Sequence, residues 1–208
     1  MVLRTINWKI ENSIGHLVLN QPPANIMTQL FFDELSILIR EIIPQTDIKA
    51  LLIYGNGRHF SSGAEPFELK KRIVENLPAI LPGELPSFLV ENTKTFLALE
   101  KLEIPSFAAI RGACLGSAME LALFCRYRIC TDGAVMGFPE TTFGLMPGCG
   151  GSVKLPLITG KARAMEILVS GRNFSATEAY NWGIVHKIAG RKTIIEETLK
   201  MAAEMIIR

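Results

Sequence analysis

The sequence predicts an α/β fold assembled from loosely recurring strand–strand–helix units. Three observations point there. Short β-branched, apolar runs alternate with segments whose apolar residues repeat at helical spacing. Two glycine-rich stretches, His59 to Glu65 and Arg111 to Glu120, each follow an apolar strand. The chain has 208 residues, 49% of them apolar, enough for one domain with a sizeable core.

The elements follow in order. Thr5 to Ile10 and His16 to Asn20 read as paired strands around a turn at Glu11–Gly15. Pro22-Pro23-Ala24-Asn25 is a loop. Thr28 caps a helix whose apolar face is Phe31, Leu35, Leu38, Ile39 and Ile42, and Pro44 stops it. Ala50 to Tyr54 is a buried strand. Phe67 to Asn76 is a short helix, and the proline-broken stretch from Pro78 to Pro86 reads as a surface loop or lid. Ser87 to Lys101 is a helix, Ser106 to Ile110 a strand, and Ala118 to Cys125 an apolar helix. Tyr127 to Thr131 and Val135 to Phe138 are short strands. Gly148 to Gly151 opens another helix. Ser175-Ala176-Thr177-Glu178 is a capping box for a helix to Trp182, and Ile184 to Ile188 is a last strand. Lys192 to Arg208 is an amphipathic helix with Ile195, Leu199, Ala202 and Ile206 on one side. This divides the chain into a core domain over 1–190 and a C-terminal helix over 191–208.

Composition excludes several classes. The 22 basic and 20 acidic residues give a net charge of +2 and are well mixed, so no basic stripe marks a nucleic-acid partner. The most apolar stretch, Ala113 to Cys125, is too short to span a membrane and contains Glu120. Four cysteines, Cys114, Cys125, Cys130 and Cys149, lack metal-type spacing and fit a reducing compartment. The expectation is a cytoplasmic protein with no metal site.

The glycine stretches carry chemistry. Glycine lets a backbone approach a ligand, and the first N–H groups of a helix have no internal partner. Two such elements that converge hold one anionic oxygen between backbone donors, an oxyanion hole for a carbonyl substrate. Ser117 and Glu120 lie three apart, which puts them on one helix face. Glu120 then projects into the same pocket, and burial among Met119, Leu121, Ala122 and Leu123 raises its pKa. The same spacing fits a capping box in which Glu120 occupies the Ser117 N–H. Glu140, at the end of a short strand, is either a solvated loop residue or a second carboxylate dividing acid and base roles with Glu120. Glu65 caps the helix that begins near Pro66. Packing accounts for Cys114 and Cys149, and His59 carries no assigned role.

Three segments together resemble the enoyl-CoA hydratase/isomerase (crotonase) superfamily. Phe60-Ser61-Ser62-Gly63-Ala64-Glu65 looks like its FxxGAD segment. Gly112 to Glu120 looks like its GxxxGGGxE segment, and Phe138 to Gly151 is similar to its FxxPExxxGxxPGxGG segment. The resemblance implies a crotonase-like spiral of ββα units with the C-terminal helical subdomain short or missing. It implies the N–H groups of Ala64 and Ser117 as the oxyanion hole for an acyl-CoA thioester. It places Glu120 and Glu140 where family hydratases carry the glutamates that hold the water. In that scheme Glu120 assists attack on the β-carbon and Glu140 supplies the α-proton. CoA, part of the substrate and the sole coenzyme expected, would lie along Ala24, Asn25, Ser62, Gly63 and Gly116. Arg58 is either a phosphate contact or a solvated arginine. A homo-oligomer, trimer or hexamer, is expected on the same basis.

Glu65 stands for the usual aspartate, and Ser117 replaces a glycine, bringing a hydroxymethyl group beside the thioester. The activity implied is hydration of a 2-enoyl-CoA. The alternatives are a double-bond isomerase or other acyl-CoA enolate enzyme, and an inactive CoA-binding scaffold of the same fold. Carboxylates facing one pocket favour the enzymes; carboxylates turned to solvent, or a collapsed pocket, favour the scaffold.

Overall fold

Strands β1 (Ile6–Glu11) and β2 (Ile14–Leu19) pair antiparallel across a turn at Asn12 and Ser13, both at positive φ. Positive φ at both central residues is what a tight right-twisted hairpin requires. The computed structural model describes residues 3–76 and 84–206. Four further strands extend the sheet in parallel: β3 (Ala50–Gly55), β4 (Ser106–Ile110), β6 (Tyr127–Thr131) and β9 (Lys187–Ala189). The order is β1-β2-β3-β4-β6-β9. Every residue of β2 and β4 is buried, as parallel strands covered on both faces demand. A small second sheet has β5 (Ala113–Leu115), β7 (Val135–Gly137) and β8 (Asn173–Ser175) in the order β5-β7-β8.

Helices cover both faces of the larger sheet. Thr28 caps α1 (Gln29–Ile37) by accepting the Phe31 N–H at 3.4 Å. The helix does not end there: a π turn (Leu38–Ile42) and a 3₁₀ turn (Ile43–Gln45) carry it on, with Pro44 inside the last turn. The chain then forms α2 (Pro66–Asn76), α3 (Ser87–Glu100) and α4 (Ser117–Phe124). Phe31, Phe32, Leu35, Phe96, Leu99, Met119 and Phe124 join one core with Leu17, Leu51 and Ile53. Residues 78–83 of the expected Pro78–Pro86 loop lie outside the described residues. On the other sheet face, α8 (Ile194–Ile206) packs over Ile14, Leu52, Phe107, Ala109 and Ile129. Its buried line is Ile194, Thr198 and Ala202, flanked by Ile195, Leu199 and Ile206, so the stripe is centred differently from the sequence expectation.

Three more helices complete the chain: α5 (Gly151–Thr159), α6 (Lys161–Ser170) and α7 (Ala176–Asn181). Gly160, at φ +78°, breaks α5 from α6. The outer faces of α5 and α6 expose Val153, Leu157, Met165 and Val169. The Ser175–Glu178 capping box forms as expected. The last strand is β9, later than Ile184–Ile188: Ile184 and Val185 are buried in the connection before it. Among the described residues no helix is long and apolar enough to cross a membrane.

All eight residues of α4 are buried, so its terminal carbonyls must find protein donors. Arg128, on β6 and 6% exposed, supplies them. Its Nη1 donates to the carbonyls of Ala122, Leu123 and Cys125, and its Nε to Ile184 at 2.6 Å. A cation at a helix C-terminus also complements the helix dipole. Arg128→Met is expected to lower unfolding stability by about 3 kcal/mol, because several buried carbonyls lose their donor. Urea denaturation checks this; a loss under about 0.5 kcal/mol, the range of an ordinary surface change, would contradict it.

Candidate active site

The two glycine stretches are zipped together. Phe60 N–H donates to Arg111 O at 2.7 Å, Ser61 N–H to Ala113 O at 3.0 Å, and Leu115 N–H to Ser61 O at 3.2 Å. Ser61 and Cys114 form a parallel bridge. Ala64 and Ser117 each lie three residues beyond that pair. Gly63, at φ +81°, closes the approach: a Cβ there would sit 2.3 Å from Leu115 O and 3.2 Å from the Ser117 nitrogen. Among the described residues, neither the Ala64 N–H nor the Ser117 N–H donates to a protein atom. Both residues line the same cavity.

Glu120 lies on α4, whose N-cap is Gly116 with no side-chain capping bond. The Ser117–Glu120 capping box therefore does not form. The Glu120 Oε1 instead accepts the N–H groups of Cys149 (2.8 Å) and Gly151 (2.7 Å), from the glycine-rich turn that starts α5. Gly151 must lack a side chain, since its Cβ would fall 3.0 Å from Glu120 Cγ and 2.8 Å from the Phe138 ring. Glu120 is 1% exposed, and burial pushes its pKa up to about 7 against the pull of the two amides.

Glu140 sits in a 3₁₀ turn (Pro139–Phe143) and is 8% exposed, so it is not a solvated loop residue. Its carboxyl lies over Gly116, where a Cβ would be 2.9 Å from Oε1. Its Oε2 is buried with no hydrogen-bond partner among the described residues. Burial, and then the Glu120 charge, push its pKa up to about 8. The two carboxyls thus differ in kind: one is cradled by amides, the other is unsatisfied.

Two cavities of about 310 and 320 Å³ meet here, sharing Ile26, Ala64, Glu65, Leu69, Ser117 and Glu140. Glu120 lines only the first; Ser62 and Gly116 line only the second. Ala24, Asn25, Arg58 and Gly63 line neither. Ala24 O accepts the Ser62 N–H at 2.9 Å. Asn25, buried at φ +50°, spends its Nδ2 on the carbonyls of Asn56, His59 and Phe60, bracing the first loop. Arg58 is exposed. Glu65 accepts the Glu68 N–H at 2.6 Å and caps α2.

Some site residues escaped the sequence reading. His59 Nδ1 accepts the Ala113 N–H at 3.0 Å and ties the loops together. Cys149 lines the first cavity, its thiol held protonated by burial and the two carboxylates. Gln29, Arg72 and Asn92 add polar groups to the same cavity. Asn92 carried a signal, a polar residue amid the apolar positions of a helix; the other two carried none. Among the described residues no group of three or more His, Cys, Asp or Glu could hold a metal.

Comparison with known proteins identifies the fold and the family. A family model described as enoyl-CoA hydratase/isomerase matches residues 9–208. A Bacillus subtilis (strain 168) protein named "Probable enoyl-CoA hydratase" is 30% identical over 204 residues, covering 97% of this chain and 76% of its own length. The peroxisomal Delta(3,5)-Delta(2,4)-dienoyl-CoA isomerase of Arabidopsis thaliana is 29% identical over 209 residues, with 98% and 75% covered. The crystal structure of enoyl-CoA hydratase from Bacillus anthracis matches with a TM-score of 0.84 at 28% identity, over 98% of this chain and 77% of that one. The fold is that of the crotonases, and the chain belongs to the enoyl-CoA hydratase/isomerase family.

Proposed function

We propose that this chain hydrates the 2,3 double bond of an enoyl-CoA. The observation that carries the reading is that one cavity is lined by two unlike buried carboxyls and by two residues whose amides donate to no atom of the described residues. The amides of Ala64 and Ser117 take the thioester oxygen. Water addition to the β-carbon builds enolate charge on that oxygen, and fixed donors stabilise it, each worth about 10²–10³ in rate. Glu120, whose charged form two N–H groups support, accepts a proton from water as the hydroxyl adds to the β-carbon. Glu140, held protonated near neutrality, gives its proton to the α-carbon. The pair exchanges protons with solvent to restore the starting state.

The 29% identity to a dienoyl-CoA isomerase supports a second reading, proton transfer between carbons through the same enolate. An inactive scaffold is disfavoured by carboxyls that are buried and face an open cavity.

Crotonyl-CoA is expected to lose its conjugated absorbance when the protein is added. Glu120→Gln and Glu140→Gln should each lower kcat by at least about 10²-fold. Conversion of a 3-enoyl-CoA to the conjugated form, with no hydration of crotonyl-CoA, would select the isomerase instead.

The pH dependence follows from the same pair. Activity needs Glu120 ionised and Glu140 protonated, so kcat/KM should peak between apparent values of about 7 and about 8 and fall on both sides. A profile flat from pH 6 to 9 would contradict this assignment.

Stability should move with pH as well. Glu140 is raised from an ordinary 4.5, so across that window the folded protein holds a proton the unfolded chain has released. Stability therefore falls as pH rises towards about 8. Glu140→Gln removes that titration. Its stability relative to wild type should rise by on the order of a few kcal/mol between acid and alkaline pH, measured by denaturant melts. A difference independent of pH would refute it.

A further inference from the structure

From the shared residues Ala64, Ser117 and Glu140, one cavity runs to Ser62 and Gly116 and the other to Gln29, Arg72 and Asn92. If the carrier arm takes the Ser62 side, the acyl chain enters the other. Most of that wall is apolar: Met27, Phe32, Leu69, Ile73, Phe88 and Leu89. A cation is out of place against a plain alkyl chain, because closing apolar groups over it removes water without supplying a partner.

Arg72 is nonetheless held there. Its guanidinium stacks 4.1 Å over the Phe88 ring, and Nη1 donates to Gln29 Oε1 at 3.0 Å. The Gln29 amide is oriented in turn, its Nε2 donating to Asp33 Oδ1 at 2.8 Å and reaching Asn92 Oδ1 at 3.5 Å. Asn92 is 4% exposed, and its Nδ2 has no protein acceptor among the described residues. Among those residues no carboxylate lies within 4 Å of the Arg72 guanidinium. Glu68, one turn earlier on α2, lines the cavity but is exposed and makes no ion pair with it. Glu65 is engaged at the α2 N-terminus. What α2 and α3 present together, in Arg72 and Asn92, are donors without an anionic acceptor among the described residues, and Gln29 on α1 holds the Arg72 end in place.

We infer that this lobe takes an acyl chain ending in a carboxylate, so that the substrate is the CoA monothioester of an unsaturated dicarboxylic acid. The planar guanidinium, pre-set on Phe88, offers a paired donor edge that fits a carboxylate, and Asn92 adds a further N–H. This rests on the enoyl-CoA reading above for the direction in which the chain enters.

The test is a binding comparison with saturated thioesters, which cannot turn over: adipyl-CoA against hexanoyl-CoA, and suberyl-CoA against octanoyl-CoA, by calorimetry. At least one dicarboxylic member should bind about tenfold or more tighter than its alkyl partner, the effect of one charge-assisted hydrogen bond. In Arg72→Met that ratio should collapse towards one, and Arg72→Lys should keep part of it. Equal or weaker binding of both dicarboxylic thioesters by the wild-type protein overturns the inference, whatever the variants do. So does a ratio that Arg72→Met leaves intact. If no thioester binds, the enoyl-CoA reading fails and this inference falls with it. Preferential dicarboxylic binding without turnover of any enoyl-CoA upholds the inference while the hydratase reading fails.

Discussion

The parallel pairing of Ser61 with Cys114 is the contact on which the site depends. It joins two loops that leave different strands of the larger sheet, β3 and β4. Three backbone bonds and the His59–Ala113 contact fix their register. With that register set, both loops deliver their residues, Ala64 and Ser117, to one cavity. On the proposed reading their amides are donors fixed before the substrate arrives, and such donors need no reorganisation as charge develops. Asn25 serves the same end from behind, holding three carbonyls of the first loop with one amide nitrogen.

The carboxyls show how environment separates two like groups. Both are buried and both are raised above the ordinary range. Amides from the turn before α5 offset part of the desolvation of Glu120. For Glu140 the neighbouring Glu120 charge adds to the desolvation, against a smaller pull from its own backbone amide, and Oε2 has no hydrogen-bond partner among the described residues. The missing side chains at Gly116 and Gly151 make this possible by clearing room for one carboxyl each.

Much of the fold was legible because burial and periodicity coincide in its larger elements. β3 and β4 read as apolar runs, and α1 shows its face at helical spacing. The short strands β5 and β8 did not show, since three residues carry no period and their pairing depends on β7. Ile184 and Val185 read as strand because they are buried, yet burial does not require a ladder bond. α6 was missed where Gly160 interrupts the run and Met165 and Val169 face outward. At the site, both glutamates and both glycine stretches were visible. Spacing alone could not separate Ser117–Glu120 from Ser175–Glu178, of which only the second forms a capping box. The difference lies in Cys149 and Gly151, about thirty residues away in the chain, whose amides claim Glu120 first. Arg72 on Gln29 spans 43 residues and His59 on Ala113 spans 54, distances over which one sequence carries no local signal.

α5 begins at the amides that cradle Glu120 and shows Val153 and Leu157 to solvent on its outer side. One of the two N–H groups on Glu120 belongs to the first residue of this helix and the other lies two residues before it. An outward shift of the helix start would lengthen the Gly151 hydrogen bond, and the carboxyl would then hold its proton more tightly. The acidity of this interior group thus depends on how a helix with an exposed outer face is seated, through the backbone at its start.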